Sequence, residues 1–60
     1  MEKYQEMREL LLSLENDFHK FYEEGNKAAG TRIRKGMQNL KNLAQEVRVE
    51  VQEKKNELEE

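Results

Sequence analysis

The chain has 60 residues, a net charge of −2 and no cysteine, proline or tryptophan. A chain of this length forms one domain at most, and the missing cysteine excludes disulfides, thiolate nucleophiles and Cys-ligated metal sites. No apolar run approaches the roughly 20 residues that cross a bilayer, and no signal-peptide core follows Met1. We therefore expect a single domain over residues 1–60, located in the cytoplasm and without a membrane partner.

The first third of the chain carries an apolar heptad repeat. Apolar side chains recur in alternating steps of three and four residues, and Leu10 and Tyr22 widen the resulting stripe. Neither proline nor glycine interrupts this stretch, so the pattern predicts a helix from about residue 2 to residue 24. The stripe positions are Tyr4, Met7, Leu11, Leu14, Phe18 and Phe21.

Gly25 and Asn26 form the predicted break. Gly25 suits the left-handed residue that closes a helix, and the Asn26 side chain can accept a hydrogen bond from the next helix start. A cap at Thr31 is the alternative. We favour Asn26, because residues 27–29 (Lys-Ala-Ala) propagate a helix well.

A second helix is predicted from about residue 27 to about residue 55, with an acidic tail over residues 53–60. Its apolar stripe consists of Ile33, Met37, Leu40, Ala44, Val47, Val51 and Leu58. Gly30 and Gly36 fall inside this helix, where each costs about 1 kcal/mol relative to alanine. Two such glycines indicate that a partner helix or a phosphate backbone approaches closely.

A two-residue break folds the helices into an antiparallel hairpin of the all-α class. One hairpin leaves Phe18, Phe21, Leu40 and Leu43 partly exposed, and so small a core barely offsets chain entropy. We therefore expect a homo-oligomer, most simply a dimer that forms a four-helix bundle. The predicted oligomer core comprises Leu11, Leu14, Phe18, Phe21, Ile33, Met37, Leu40, Ala44 and Val47.

Charge is distributed unevenly along the chain. Residues 1–25 carry three basic and seven acidic side chains, whereas residues 26–48 carry six basic and one acidic. The basic block could neutralise the acidic end of the first helix, bind an acidic protein partner, or bind phosphates. For phosphate, arginine forks would lie beside a positive helix terminus. The candidate contacts are Lys27, Arg32, Arg34, Lys35 and Lys41.

Segment 25–35, with the sequence Gly-Asn-Lys-Ala-Ala-Gly-Thr-Arg-Ile-Arg-Lys, resembles the conserved block of the bacterial linker-histone-like family. Chlamydial histone-like nucleoid proteins belong to this family. The likeness continues through residues 40–44 to Arg48 and back to residues 18–24, so it covers roughly residues 10–52. The resemblance implies a short helical protein that binds double-stranded DNA non-specifically in the bacterial nucleoid. The chlamydial relatives also carry a Lys/Ala/Arg-rich tail, whereas this sequence departs from them with Glu57-Leu58-Glu59-Glu60, so we expect no strong DNA condensation by this chain alone. The basic positions that match are the five named above.

Enzymatic chemistry has little support in the sequence. His19 is the only histidine, and neither Ser13 nor Thr31 has a histidine at an obvious catalytic spacing. Asn16 occupies the position that a Glu-x-x-His metal motif would need. We predict no enzyme activity, metal, cofactor or small-molecule substrate. The preferred function is architectural DNA binding, and the alternative is a helical self-association or adaptor module that binds an acidic protein partner.

Overall fold

The computed structural model describes residues 1–59 as two helices. Helix α1 runs over Glu2–Glu24 and helix α2 over Lys27–Glu59, with Gly25 and Asn26 between them. The helices pack against each other in antiparallel directions, and residues 1–59 contain no strand. The predicted all-α helical hairpin is confirmed.

The turn closes α1 through backbone hydrogen bonds. Gly25 has φ 68° and ψ 24°, the left-handed conformation that glycine adopts without a steric cost. Its N–H donates to the Phe21 carbonyl at 3.1 Å, and the Asn26 N–H donates to the Lys20 carbonyl at 3.1 Å. These two bonds satisfy carbonyls that a helix end would otherwise leave free.

The Asn26 side chain begins α2. Its Oδ1 accepts a hydrogen bond from the Ala29 N–H at 3.0 Å, which is the geometry of an N-cap. Thr31, the alternative start, lies within the helix, where its hydroxyl donates to the Lys27 carbonyl at 3.3 Å. The helix therefore begins before Thr31, as the preferred interpretation predicted.

The hairpin core lies in the half nearest the turn. Its buried residues are Leu14, Ala29, Ile33 and Gly36. A Cβ atom on Gly36 would clash with the Leu14 side chain, and one on Gly30 would lie 2.7 Å from Phe21 Cδ1. Of the two possibilities for what approaches these glycines, the structure shows a helix, α1.

Helix α2 extends well beyond α1. The helices contain 23 and 33 residues, about 35 and 50 Å at 1.5 Å per residue, and they start from a common turn. Residues 48–59 are all exposed, and most of them lie beyond the N-terminal end of α1. The predicted end near residue 55 was too early. Side chains support the last turns, with Gln52 bonded to Asn56 at 3.1 Å and Lys54 lying 3.8 Å from Glu57.

The residues predicted as an oligomer core divide into three groups in the single hairpin. Leu14 and Ile33 are already buried between α1 and α2. Leu11 and Phe21 are exposed, at 47% and 40%, while Leu10 beside Leu11 is half-buried. The half-buried members are Phe18, Met37, Leu40, Ala44 and Val47. Much apolar surface thus stays uncovered in one copy of the chain.

Candidate functional site

Two ion pairs join α1 to α2 along one long side of the hairpin, and we call this the clamped side. Arg32 donates from Nε and Nη2 to Asp17 Oδ1, at 2.9 and 2.8 Å. Near the other end, Lys3 Nζ donates to Glu46 Oε1 at 2.9 Å. Both pairs join α1 to α2, so they fix the lengthwise register of the two helices.

The ion pairs shift the pKa values of Asp17, Arg32 and Lys3. The hydrogen bond from Arg32 holds the pKa of the Asp17 carboxyl below its ordinary value, and the same bond raises the pKa of Arg32. The hydrogen bond to Glu46 raises the pKa of Lys3. Each charged form is thus favoured by its partner, and the Arg32 guanidinium already holds a carboxylate.

The opposite long side is apolar, and we call it the apolar side. Tyr22 lines a shallow groove there with Arg34, and Tyr4 lines a second groove with Val47 and Val51. A helix turns about 100° per residue, so apolar residues that lie between these two grooves at spacings of three, four or seven face the same side of the hairpin. The apolar side consists of Tyr4, Leu11, Phe18 and Tyr22 on α1, and Met37, Ala44 and Val51 on α2.

A line of four cations borders the apolar side. Lys27, Arg34, Lys41 and Arg48 recur every seven residues along α2 before its acidic tail, and we call these four the basic stripe. Lys55 continues the same spacing within the acidic tail. Seven residues fall about 20° short of two turns, so the four side chains stay within about 60° of one another and span about 31 Å. All four are exposed, and within residues 1–59 none of them forms a salt bridge. The stripe is therefore open to an anionic partner.

The structure brings together three of the five predicted phosphate contacts. Lys27, Arg34 and Lys41 share the stripe, whereas Lys35 lies about 100° and Arg32 about 160° around the helix from Arg34. Sequence reasoning missed Arg48 as the fourth stripe member. Its heptad spacing from Lys41 was the signal that could have identified it.

Neutralisation of the basic block within the hairpin is limited to one position. Across residues 1–59, only Asp17 of the acidic end of α1 forms a salt bridge with the block, and its partner is Arg32. Two other acidic candidates, Glu23 and Glu24, lie beside His19 instead. The acidic end of α1 therefore leaves the basic stripe unpaired.

Across the part of the chain that the structure describes, no helix combines the length and hydrophobicity that a membrane crossing requires. Comparisons of the chain with curated proteins and with solved structures gave no match. A comparison with protein families matched residues 1–57 to the family described as Histone H1-like protein Hc1. This match covers nearly the whole chain and agrees with the resemblance noted from segment 25–35. The chain belongs to the Histone H1-like protein Hc1 family.

Proposed function

We propose that the hairpin is an architectural DNA-binding protein of the bacterial nucleoid, and therefore of the cytoplasm, that contacts duplex phosphates without reading sequence. Membership of a histone H1-like family supports DNA binding in general. The observation that carries the finer proposal is the basic stripe, four exposed cations in one line without a carboxylate partner among residues 1–59. Such a line matches a polyanion better than it matches a single small anion.

The stripe has the chemistry of non-specific duplex binding. Lysine and arginine that neutralise phosphates release condensed counterions, which gives affinity that falls steeply with salt. These contacts position a protein on DNA but carry no base information. The stripe spans about 31 Å, close to the 34–36 Å of one duplex turn. We assign the phosphate contacts to Lys27, Arg34 and Lys41, extended by Arg48.

The two remaining candidates have secondary roles in this proposal. Arg32 is held by Asp17 on the clamped side, so binding a phosphate would compete with an existing ion pair. Lys35 has no salt bridge within residues 1–59 but faces away from the stripe. We assign Lys35 a weak accessory contact and Arg32 mainly a structural one.

We further propose that the apolar side packs against a second copy of the chain to form a four-helix bundle. The exposed apolar surface continues past the end of α1 onto α2, where Val51 is 51% and Leu58 75% exposed. The end of the hairpin opposite the turn is its open end. Pairing of two copies centred on their open ends covers that surface and leaves the two turns at opposite ends of the dimer. Each copy then presents its basic stripe at the rim, so one dimer has two DNA-binding surfaces.

The direct test is fluorescence anisotropy of a labelled random-sequence duplex, titrated at about 50 and about 200 mM salt. We expect binding that weakens sharply at the higher salt, with a log–log slope of about −0.9 per neutralised phosphate. The variant Lys27→Gln/Arg34→Gln/Lys41→Gln should lose most of this affinity. Its control, Arg8→Gln/Lys20→Gln/Lys54→Gln, removes the same charge away from the line of the stripe and should retain the affinity.

The alternative is a helical adaptor that binds an acidic protein partner, and the exposed apolar side favours it. An adaptor would show no duplex binding even at the lower salt, while both triple variants kept full helicity by circular dichroism. Equal loss of DNA binding in the two triple variants would instead indicate that total charge matters and the stripe does not.

A further inference from the structure

A groove opens beside the turn, between the end of α1 and the first two turns of α2, and we call it the tip groove. Its walls are the rings of Phe21 and Tyr22 on one side and the side chains of Lys27 and Arg34 on the other. Gly30 lies between the walls, and within the described residues no carboxylate lines the groove. The tip groove therefore combines an aromatic wall with a cationic rim.

The Tyr22 ring is exposed yet held in place. It is 73% exposed, the highest value among the aromatic side chains of the apolar side. It lies parallel to Phe18, with ring centroids 6.1 Å apart and planes 8° apart, and contacts Phe21 edge-on at 5.2 Å. Two aromatic neighbours thus fix the orientation of a ring that a ligand can still reach.

Gly30 shapes the groove by letting Phe21 lie against α2. A Cβ atom at this position would lie 2.7 Å from both Cδ1 and Cε1 of Phe21. With any larger residue, the Phe21 ring would have to move outward into the groove. The glycine therefore keeps the aromatic wall close to α2 and the space beside Tyr22 open.

We propose that the tip groove binds an unpaired nucleotide of single-stranded or locally opened DNA, whose base stacks on Tyr22 while the flanking phosphates pair with Lys27 and Arg34. This inference rests on the proposed function, because the two rim cations are the first two members of the basic stripe. A strand that follows the stripe toward the turn brings its last bases to the Tyr22 ring. Stacking on an aromatic side chain combined with cationic contacts is the usual chemistry of single-strand binding.

The carboxylate adjacent to Tyr22 in the chain does not oppose this assignment. Glu23 follows Tyr22 in the chain, but its carboxylate contacts His19 and does not line the tip groove. Dimer pairing centred on the open end of the hairpin also leaves the turn uncovered. Base stacking and self-association thus use different parts of the apolar side.

The test compares two labelled strands of about 20 nucleotides, oligothymidine and an abasic strand with the same number of phosphates, by fluorescence anisotropy at low salt. The wild-type chain should bind oligothymidine about fivefold or more tightly than the abasic strand. Tyr22→Leu should abolish this preference while keeping affinity for the abasic strand. Leu12→Ala, which removes an exposed apolar side chain on the outer surface of α1, should leave the preference unchanged.

The outcomes separate the inference from the proposed function. Equal affinity of the wild-type chain for the two strands, with duplex binding intact, would overturn the stacking site alone. Failure to bind any strand or duplex would overturn both proposals. A change of oligomeric state in Tyr22→Leu, measured by light scattering, would place Tyr22 in the dimer interface and contradict the tip groove.

Discussion

Arg32 and Arg34 lie two residues apart on α2, yet they face opposite sides of the hairpin and differ in whether a carboxylate pairs with them. Arg32 points to the clamped side, where Asp17 holds its guanidinium through two hydrogen bonds. Arg34 points to the opposite side, where it borders the tip groove and forms no salt bridge with any described residue. The basic block is therefore two surfaces with separate tasks, one joining the helices and one open to a partner.

The difference between the two sides originates in α1. On the clamped side, α1 presents Lys3 and Asp17, which pair with charges of α2. On the apolar side, it presents mainly aromatic and aliphatic side chains, and Glu15 at the edge of that side forms no salt bridge with the basic stripe within residues 1–59. The number of charged residues in a segment of α2 does not distinguish one side of the helix from the other. The neighbouring helix decides which cations remain available.

The largest expected effect concerns the core that both sides share. Leu14→Ala removes a side chain that is 6% exposed and lies against Gly36, so we expect a loss of about 2–5 kcal/mol in the free energy of unfolding. Leu12→Ala, at a position that is 55% exposed, should change it by less than about 0.5 kcal/mol. Urea unfolding followed by circular dichroism measures both. Similar losses in the two variants would mean that the hairpin core is misplaced.

Leu11→Arg is the most direct way to disrupt dimerisation through the apolar side. A charge placed there would be desolvated against a second copy, so we expect the dimer dissociation constant to rise about tenfold or more. The neighbouring Leu12 has similar exposure but faces the outer surface of α1, and Leu12→Arg should leave dimerisation unchanged. Sedimentation equilibrium measures the two constants. Equal weakening by both variants would contradict the assigned dimer face.

Gly36→Ala tests how closely the helices approach. The added methyl group would clash with Leu14, which is buried and has little room to move. Overpacking of this kind costs about 1–3 kcal/mol and exceeds the gain of about 1 kcal/mol in helix propensity, so we expect a net destabilisation. Gly30→Ala should cost less, because Phe21 is 40% exposed and its ring can swing outward. Thermal unfolding measures the Tm of both variants, and a lower Tm for Gly30→Ala than for Gly36→Ala would contradict this account.

The smallest expected effect is the pH dependence of the clamped side. Because Arg32 lowers the pKa of Asp17 in the folded chain, this carboxyl stabilises the fold above its unfolded pKa of about 3.9. That stability is lost as pH falls through the folded pKa. Asp17→Asn should therefore be less stable than the wild type at pH 7, with the difference vanishing in strong acid. Urea titrations of the two proteins across this pH range measure the difference, and a difference that stayed constant down to strong acid would contradict the assigned ion pair.

Much of the fold was predictable from local features of the sequence. The heptad steps identified both helices, and Gly25 with Asn26 marked the turn, because left-handed geometry and capping depend on residues adjacent in the chain. The glycines at positions 30 and 36 correctly indicated a close helix contact. Each of these features depends on a few neighbouring residues, which a single sequence contains.

The orientation of the helices about their own axes was not predictable in the same way. The apolar stripe of α1 is wide enough to turn either Leu10 or Leu11 toward α2, and the structure chooses Leu10. The same rotation decides that Arg32 pairs with Asp17 and that Arg34 pairs with no acidic residue of the described chain. The sequence therefore identified the chain segment that contains the candidate site. Which of its cations lie on the clamped side and which beside the apolar side could be seen only with both helices in place.

The central claim is that the basic stripe, and not the basic block as a whole, binds DNA. The most direct test is the salt dependence of duplex affinity for Arg34→Gln and Lys35→Gln, adjacent substitutions that remove the same charge. The account predicts that Arg34→Gln lowers the magnitude of the log–log slope by about 0.9, the loss of one phosphate contact, while Lys35→Gln leaves it nearly unchanged. Identical slopes for the two variants would contradict the stripe.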